Sequence, residues 1–574
     1  MMNRRNKLDR SLGAVAALLA VTVPSFIFGV QKNGEKVVLP VSQRAQRIPI
    51  KPTIPKEDRN QGDRVFLERA DKLYMDERVS ADYQVVTGNV LFRKGGMYMY
   101  CDSALFFEDA GSMQAYGNVR MEQGDTLFVY ADQLDYNGND ELAIFYGAGS
   151  EPVRLINRDV VLTTYIFNYD MAANLGYYDT QGTISDVENE LTSGYGEYSP
   201  DTKDAEFRYN VVLQDKKKED FRITTEVLRY NTETHIANLV SPTVIVTDSA
   251  TVYTDNGWYD TENELSELYD RSLIVTNRGS TLTGDTIFYD HTKGYGESWG
   301  NMILTDSVKS VALDGDYGFY NQANDSAYAT GHARVLEYSK ADTLYMHGDT
   351  VRAYALYPDS LHPDTTHIIT VYPKVRFWRV DVQGLCDSLA MLERDSTLYM
   401  HRHPILWNDK RQVFGGVIMA HFNDSTVDWA KLPEFGFVAE HVDGEFYNQI
   451  SGKEMIARFD SLGHMRQLDV SGNVEIISLP QENDSTYNKI VNTESSFLTA
   501  WFDGRQIEKM IMWPEVTGTV TPLYLARKSI YYLSNFHWYE ALRPKNKDDI
   551  FVIPPEMDAL LNEPDPSLRR RKVN

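Results

Sequence analysis

The chain has 574 residues, 42% hydrophobic and 24% charged, enough for several domains with a sizeable folded interior. A formal charge of −25, with no long Lys/Arg cluster away from the termini, argues against direct nucleic-acid binding. Only 2 Cys are present, which excludes a disulfide scaffold and any cysteine-based zinc cluster.

The N-terminus reads as an export segment. Arg4, Arg5, Lys7 and Arg10 precede an apolar run from Leu12 to Val30, and polar Gln31-Lys32-Asn33-Gly34 follows. No clean small-x-small cleavage site is visible, so a cleaved signal and a retained inner-membrane anchor over residues 1–30 both fit. Residues 31–63 hold Pro40, Pro49, Pro52 and Pro55 among Lys, Arg and Gln without an apolar period, the composition of a linker.

From residue 64 to 356 a unit of about thirty residues recurs, a period that signals stacked supersecondary units. An Asp, an aromatic and a Gly keep one spacing in Asp102/Phe106/Gly117, Asp132/Tyr136/Gly147, Asp285/Tyr289/Gly300 and Asp316/Tyr320/Gly331. Degenerate copies end at Tyr169, Tyr198, Tyr230 and Tyr259. Before the Asp, stretches such as Met97-Tyr98-Met99-Tyr100-Cys101 and Leu127-Phe128-Val129-Tyr130-Ala131 alternate with the period of a strand. The aliphatic set is assigned inward and the aromatic set, Tyr100, Tyr130 and His347, outward. After the Asp the parity resets, as at a strand corner.

Residues 357–450 keep strand composition, but the period blurs into an irregular β region. A second repeat block spans 451–525, where Met455–Asp460 aligns with Leu498–Asp503 and each leads to a glycine-containing strand, Gly472-Asn473-Val474 and Gly518-Thr519-Val520. Residues 526–574 read as a tail with short helices and a basic end at Arg569-Arg570-Arg571-Lys572.

His401 and His403 could share a strand face as metal ligands, but His401 and His347 occupy the slot of Tyr100 and Tyr130, which favours a surface aromatic role. Cys101 and Cys386 each stand where Ala131, Gly284 and Gly348 stand elsewhere, so two free, buried thiols are expected. The recurring Asp residues lack the tight Gly/Asp period of calcium-binding solenoids and are expected to bond their own backbone at corners. No serine elbow, phosphate-binding glycine loop or paired-carboxylate motif is found, and no catalytic, metal or cofactor site is assigned.

The string Gly117-Asn118-Val119, Gly124-Asp125-Thr126-Leu127, Ala131-Asp132, Leu134 and Tyr136-Asn137 resembles the OstA/LptA-like repeat of lipopolysaccharide transport, and Gly472-Asn473-Val474 behind Ala457-x-Phe459 resembles it again. The resemblance implies an all-β, elongated antiparallel jellyroll or solenoid of stacked repeats, whose inner groove shields acyl chains. It further implies lipopolysaccharide or a related glycolipid as ligand, other jellyroll components of the transport machinery as partners, and end-to-end self-association. The location implied is the periplasm, with inner-membrane anchoring or outer-membrane association both open. Great length and acidity depart from the family's small bridge protein.

The expected function is therefore a non-enzymatic lipid carrier or bridge for outer-membrane assembly. Met97, Met99, Leu127, Val129, Leu282, Leu344 and Met346 are its candidate lipid-lining residues. A structural β-solenoid scaffold and a β-helix polysaccharide-active enzyme are the alternatives.

Overall fold

The computed structural model describes residues 65–563 except 76–81, 217–220, 357–364 and shorter interruptions at 126, 159, 188, 248–249, 261–262, 264, 278, 291, 309, 322–323, 325, 340, 424–425, 483–485 and 505. The export segment, most of the linker and the basic end lie outside the described residues. The protein is all-β, with every described strand pairing antiparallel and, among the described residues, helical structure confined to short turns and one helix after Pro522.

The strand Met97–Phe107 shows how the chain builds the fold. Its first half, Met97 to Tyr100, pairs with Arg120 to Gln123, and its second half, Ser103 to Phe107, pairs with Ser112 to Tyr116, with the register broken between. The same break recurs between Tyr116 and Val119, Arg208 and Val211, Trp299 and Met302, and Ser471 and Val474. Each long strand thus serves two ladders, and shorter strands continue one or the other. The ladder before the corner is called here the first sheet and the ladder after it the second sheet.

The corner is written in the sequence as Gly-Asn at Gly117, Gly300 and Gly472, and as Tyr209-Asn210 in the strand Asp204–Asp215. Gly117 and Asn118 have φ of 75° and 49°, two successive left-handed residues that turn the strand. A Cβ at Gly117 would lie 2.6 Å from the Asp102 carboxylate on the neighbouring strand, so glycine is required by space as well as by φ. The Asn118 amide donates to that carboxylate at 2.8 Å, and Asn301 to Asp285 and Asn89 to Asp71 repeat the contact. At Asp102, Asp285 and Asp316 the carboxylate meets a side chain of the next strand, Asn118, Asn301 or His332, where the sequence led to the expectation of a bond to its own backbone. Local parity could not reveal a partner one strand away.

The described chain divides into two compact units. The N-terminal unit holds residues up to Asn277 together with Thr286–Thr292, and the C-terminal unit holds Arg278–Asp285 and the residues from Lys293 onward.

In the N-terminal unit the two sheets face each other. Phe92 and Phe106, from opposite sides of the corner, lie 5.4 Å apart, and Met99, Met121, Val129, Leu134 and Phe145 share one buried cluster. In the C-terminal unit a further layer is present. After Pro522 the chain runs along the outer face of the first sheet through short 3-10 turns to the helix Pro555–Asn562. There Leu542, Met557 and Leu561 pack on Leu385, Ile405, Trp407 and Phe437, while Tyr531 packs on Ile477 and Ile490.

Three glutamines on that outer face fasten this strap. Gln412 donates to the His537 carbonyl and accepts from the Tyr539 amide, both at 2.7 Å. Gln449 does the same with Tyr531 and Leu533, at 2.7 and 2.9 Å, and Gln383 accepts from Arg543 at 2.8 Å. The Gln412 and Gln449 amides stand in for the strand neighbour that the strap backbone lacks, while Gln383 holds the strap through the Arg543 side chain.

Candidate functional site

The inner face of the first sheet carries one apolar residue on rung after rung. In the N-terminal unit, Leu67, Phe92, Met99, Met121, Val129 and Leu155 lie directly opposite one another across successive strands. The row continues through Leu162, Ile184, Leu191 and Leu213 to Ile223, Ile245, Val252 and Ile274. In the C-terminal unit it runs from Leu282, Leu304 and Leu313 through Val335, Met346 and Phe377, then past Gly384 to Leu406, Val413, Val438 and Ile450. Alternation within each strand aims one residue class at the groove, and strand pairing places like beside like.

Four sequence-predicted lining residues, Met99, Val129, Leu282 and Met346, stand on this row. Met97, Leu127 and Leu344 stand two residues farther from the corner on the same face, near the hairpin ends of the sheet that form its free lip. Met99, Val129 and Leu282 are buried, while Met97, Leu127, Leu344 and Met346 are half-buried. Tyr130 faces outward and is 39% exposed, with Tyr100 also outward under the Arg120 guanidinium.

His347 departs from its expected surface role. It lies on the outer face, but the strap covers it: the Phe551 ring sits 4.7 Å from the imidazole, and only 6% of the residue is exposed. Its Nδ1 bonds the Ala333 carbonyl at 2.8 Å, and burial pulls its pKa below the ordinary value. His401 is half-buried and stacks on Tyr399.

The second sheet presents a different row at its lip. Phe106, Met113, Tyr136, Ala143, Tyr169 and Gly176 lie opposite one another, and Tyr198, Ala205, Tyr230, Ala237 and Tyr259 extend the alternation to Tyr289. The aromatics spaced about thirty residues apart in the sequence are thus one seam of tyrosines separated by small residues. Lys94 of the first sheet reaches across to this seam, donating to the Tyr136 hydroxyl at 2.5 Å and to Glu141 at 2.7 Å. Sequence reasoning found these tyrosines as a period but not as the closure of the lips.

Both thiols are free and buried. Burial, with Asp102 nearby, pushes the Cys101 thiol up to about 12, and burial raises Cys386 as well. Among the described residues no group of three His, Cys, Asp or Glu could hold a metal ion. No described helix is long and apolar enough to cross a membrane.

Residues 62–226 match the family described as OstA-like protein. No curated protein matches the chain. A similar solved structure is "LptH, the LptA homologous periplasmic component of the conserved lipopolysaccharide transport device from Pseudomonas aeruginosa". Its identity is 11%, over 26% of this chain and 80% of that one, with a TM-score of 0.14, too slight a likeness to argue from.

Proposed function

From an OstA-like stretch at residues 62–226, we propose that this chain is a non-enzymatic, periplasm-facing carrier or bridge for lipopolysaccharide or a related glycolipid in outer-membrane assembly. The observation that carries this reading is the apolar row on the inner face of the first sheet, from Leu67 to Ile274 and, interrupted by Gly384, from Leu282 to Ile450. Such a row can cover an acyl chain along its length, each buried CH₂ contributing about 0.8 kcal/mol. In this role residues 1–30 export or anchor the chain and 31–63 tether it.

Partners of the same architecture would add strands at a sheet edge. At the C-terminal edge, Gln506–Trp513 and Thr517–Pro522 both pair with Lys489–Asp503, and they expose Met510, Trp513 and Val520. Other jellyroll components or a second copy fit that edge. A structural scaffold is the second reading, favoured by the packed interior of the N-terminal unit.

Photocrosslinking in living cells tests the carrier reading, with a photoreactive residue at Met97, Met99, Leu127, Val129, Leu282, Leu344 or Met346 and at Tyr130 as outward control. Lipopolysaccharide adducts from inner positions and none from Tyr130 are expected. No adduct from any inner position, in a protein shown to be folded and exported, would leave the scaffold.

A further inference from the structure

We infer that the acyl-chain chamber lies in the C-terminal unit, between the first-sheet row Leu304–Ile450 and the second-sheet lip around Ile369, Met391 and Leu398, and that the OstA-like stretch of the N-terminal unit is a closed, self-packed support. This rests on the carrier reading and locates its ligand.

The first observation is where each unit is packed. In the N-terminal unit the inner row is buried at Phe92, Met99, Met121, Val129, Leu213 and Ile245. A cavity between its sheets, lined by Met97, Met99, Met113, Leu134 and Tyr136, measures about 30 Å³, room for about one water and not for an acyl chain. In the C-terminal unit the first sheet differs. Its inner residues Leu304, Val335, Met346, Leu406, Val413 and Ile450 are half-buried, with Leu282 and Phe377 buried, whereas Leu385, Ile405, Trp407 and Phe437 on its outer face are buried under the strap; the second sheet stays buried beside the corner at Val371, Leu389 and Met400.

That difference has an energetic meaning. A sheet needs one apolar face covered to be stable, and in the N-terminal unit the facing sheet covers it. The strap covers the opposite face in the C-terminal unit, burying Trp407, Phe414 and Phe437 among others, each side chain contributing about 1.5–3 kcal/mol. The inner face of the first sheet there shares that duty with the strap and can stay partly open toward its lip. Half-buried aliphatic residues lining a groove are what a lipid chain would cover.

The second observation is the seam. Tyrosines alternate with small residues along the second-sheet lip up to Tyr289, and Tyr320 opposite Gly296 is the last of this kind. Beyond Tyr320 the same row continues as Ala327, Ala353, Ile369, Met391, Leu398 and Ala420. Ile369, Met391 and Leu398 are half-buried, so the phenolic closure gives way to an aliphatic wall. Across from it the first-sheet lip carries the Arg411–Glu440 pair at 2.9 Å, a polar rim suited to the lipid's headgroup end.

The test uses the purified full chain with purified lipopolysaccharide and a photoreactive residue at Met346 or Met391 in the C-terminal unit and at Met97 or Leu127 in the N-terminal unit. All four positions are half-buried, and each variant is first shown to unfold at the parent's temperature. Adducts at least about tenfold stronger at Met346 and Met391, equivalent to about 1.4 kcal/mol of preference, are expected. Equal or stronger adducts at Met97 and Leu127 would overturn the location and leave the carrier reading standing. Absence of adducts at all four would overturn both.

Discussion

Lys94 and Tyr136 join the lips of the two sheets, the ammonium lying 2.5 Å from the phenol oxygen and 2.7 Å from Glu141. Burial opposes the charge on Lys94, but the bonds to Glu141 and Tyr136 outweigh it and raise its pKa above the ordinary value. Removing the hydroxyl in Tyr136→Phe should cost about 0.5–1.5 kcal/mol in urea unfolding. Tyr136→Ala should cost about 3–5 kcal/mol, since it also empties a packed site. Because the folded pKa is raised, the Lys94 contribution is complete at neutral pH and is lost as pH climbs past 10.5, a loss that Lys94→Met should abolish.

The corner makes a separate claim. Gly117→Ala would force a Cβ to within 2.6 Å of the Asp102 carboxylate at a φ of 75°. A loss of about 1–3 kcal/mol is expected. Asn118→Ala, which removes only the bond to Asp102, should cost less, about 1 kcal/mol, and the order of the two variants in chemical denaturation checks the reading.

Strand period, inward aliphatics and corners were legible because each is set within a few residues. Met97, Met99 and Cys101 alternate with Tyr98 and Tyr100, and the structure keeps that parity. What escaped is what another part of the chain decides. His347 looked like Tyr130 because the two share a slot, yet Phe551 covers one of them and nothing in the local sequence says so. Gln383, Gln412 and Gln449 likewise follow no period of their own. They fall on one row of the sheet only through strand pairing, and their purpose appears only when the strap lies across them.

The thiols offer a direct reading of rigidity. Burial holds Cys101 up to about 12 and raises Cys386 too, so neither forms thiolate near neutrality. Ellman's reagent at pH 8 should titrate none in the folded protein and both after denaturation. Fast reaction of Cys386 alone would mean that the C-terminal unit opens more readily than its packing implies.

Acid should act on the strap through His347. Burial lowers its pKa despite the Ala333 carbonyl and Asp349, with His332 and Arg376 pushing the same way and Phe551 closing the far side. The unfolded chain therefore takes the proton first. The stability is present above about pH 6.5 and is lost as pH falls through the lowered folded value. Between about pH 7.5 and 5.5 the parent should lose more unfolding free energy than His347→Gln, whose side chain does not titrate.

Gln412 puts the strap itself to the test. It is fully buried, its oxygen accepts from both the Tyr539 amide and the Trp407 indole, and its nitrogen donates to the His537 carbonyl. Gln412→Leu keeps the bulk but leaves the buried Trp407 indole and two part-buried strap backbone groups unmatched, which should cost about 3 kcal/mol, well above an ordinary surface change. If the strap is a covering layer fastened at these points, hydrogen exchange should quicken at Tyr539 and its neighbours and leave the amides of Met97–Phe107 untouched. Gln449→Leu should quicken exchange at Leu533 in the same way, because Gln449 repeats the two backbone bonds. Uniform quickening through both units would show instead that Gln412 belongs to a single cooperative core, and the separate stabilisation of the C-terminal groove from its outer face would fall with it.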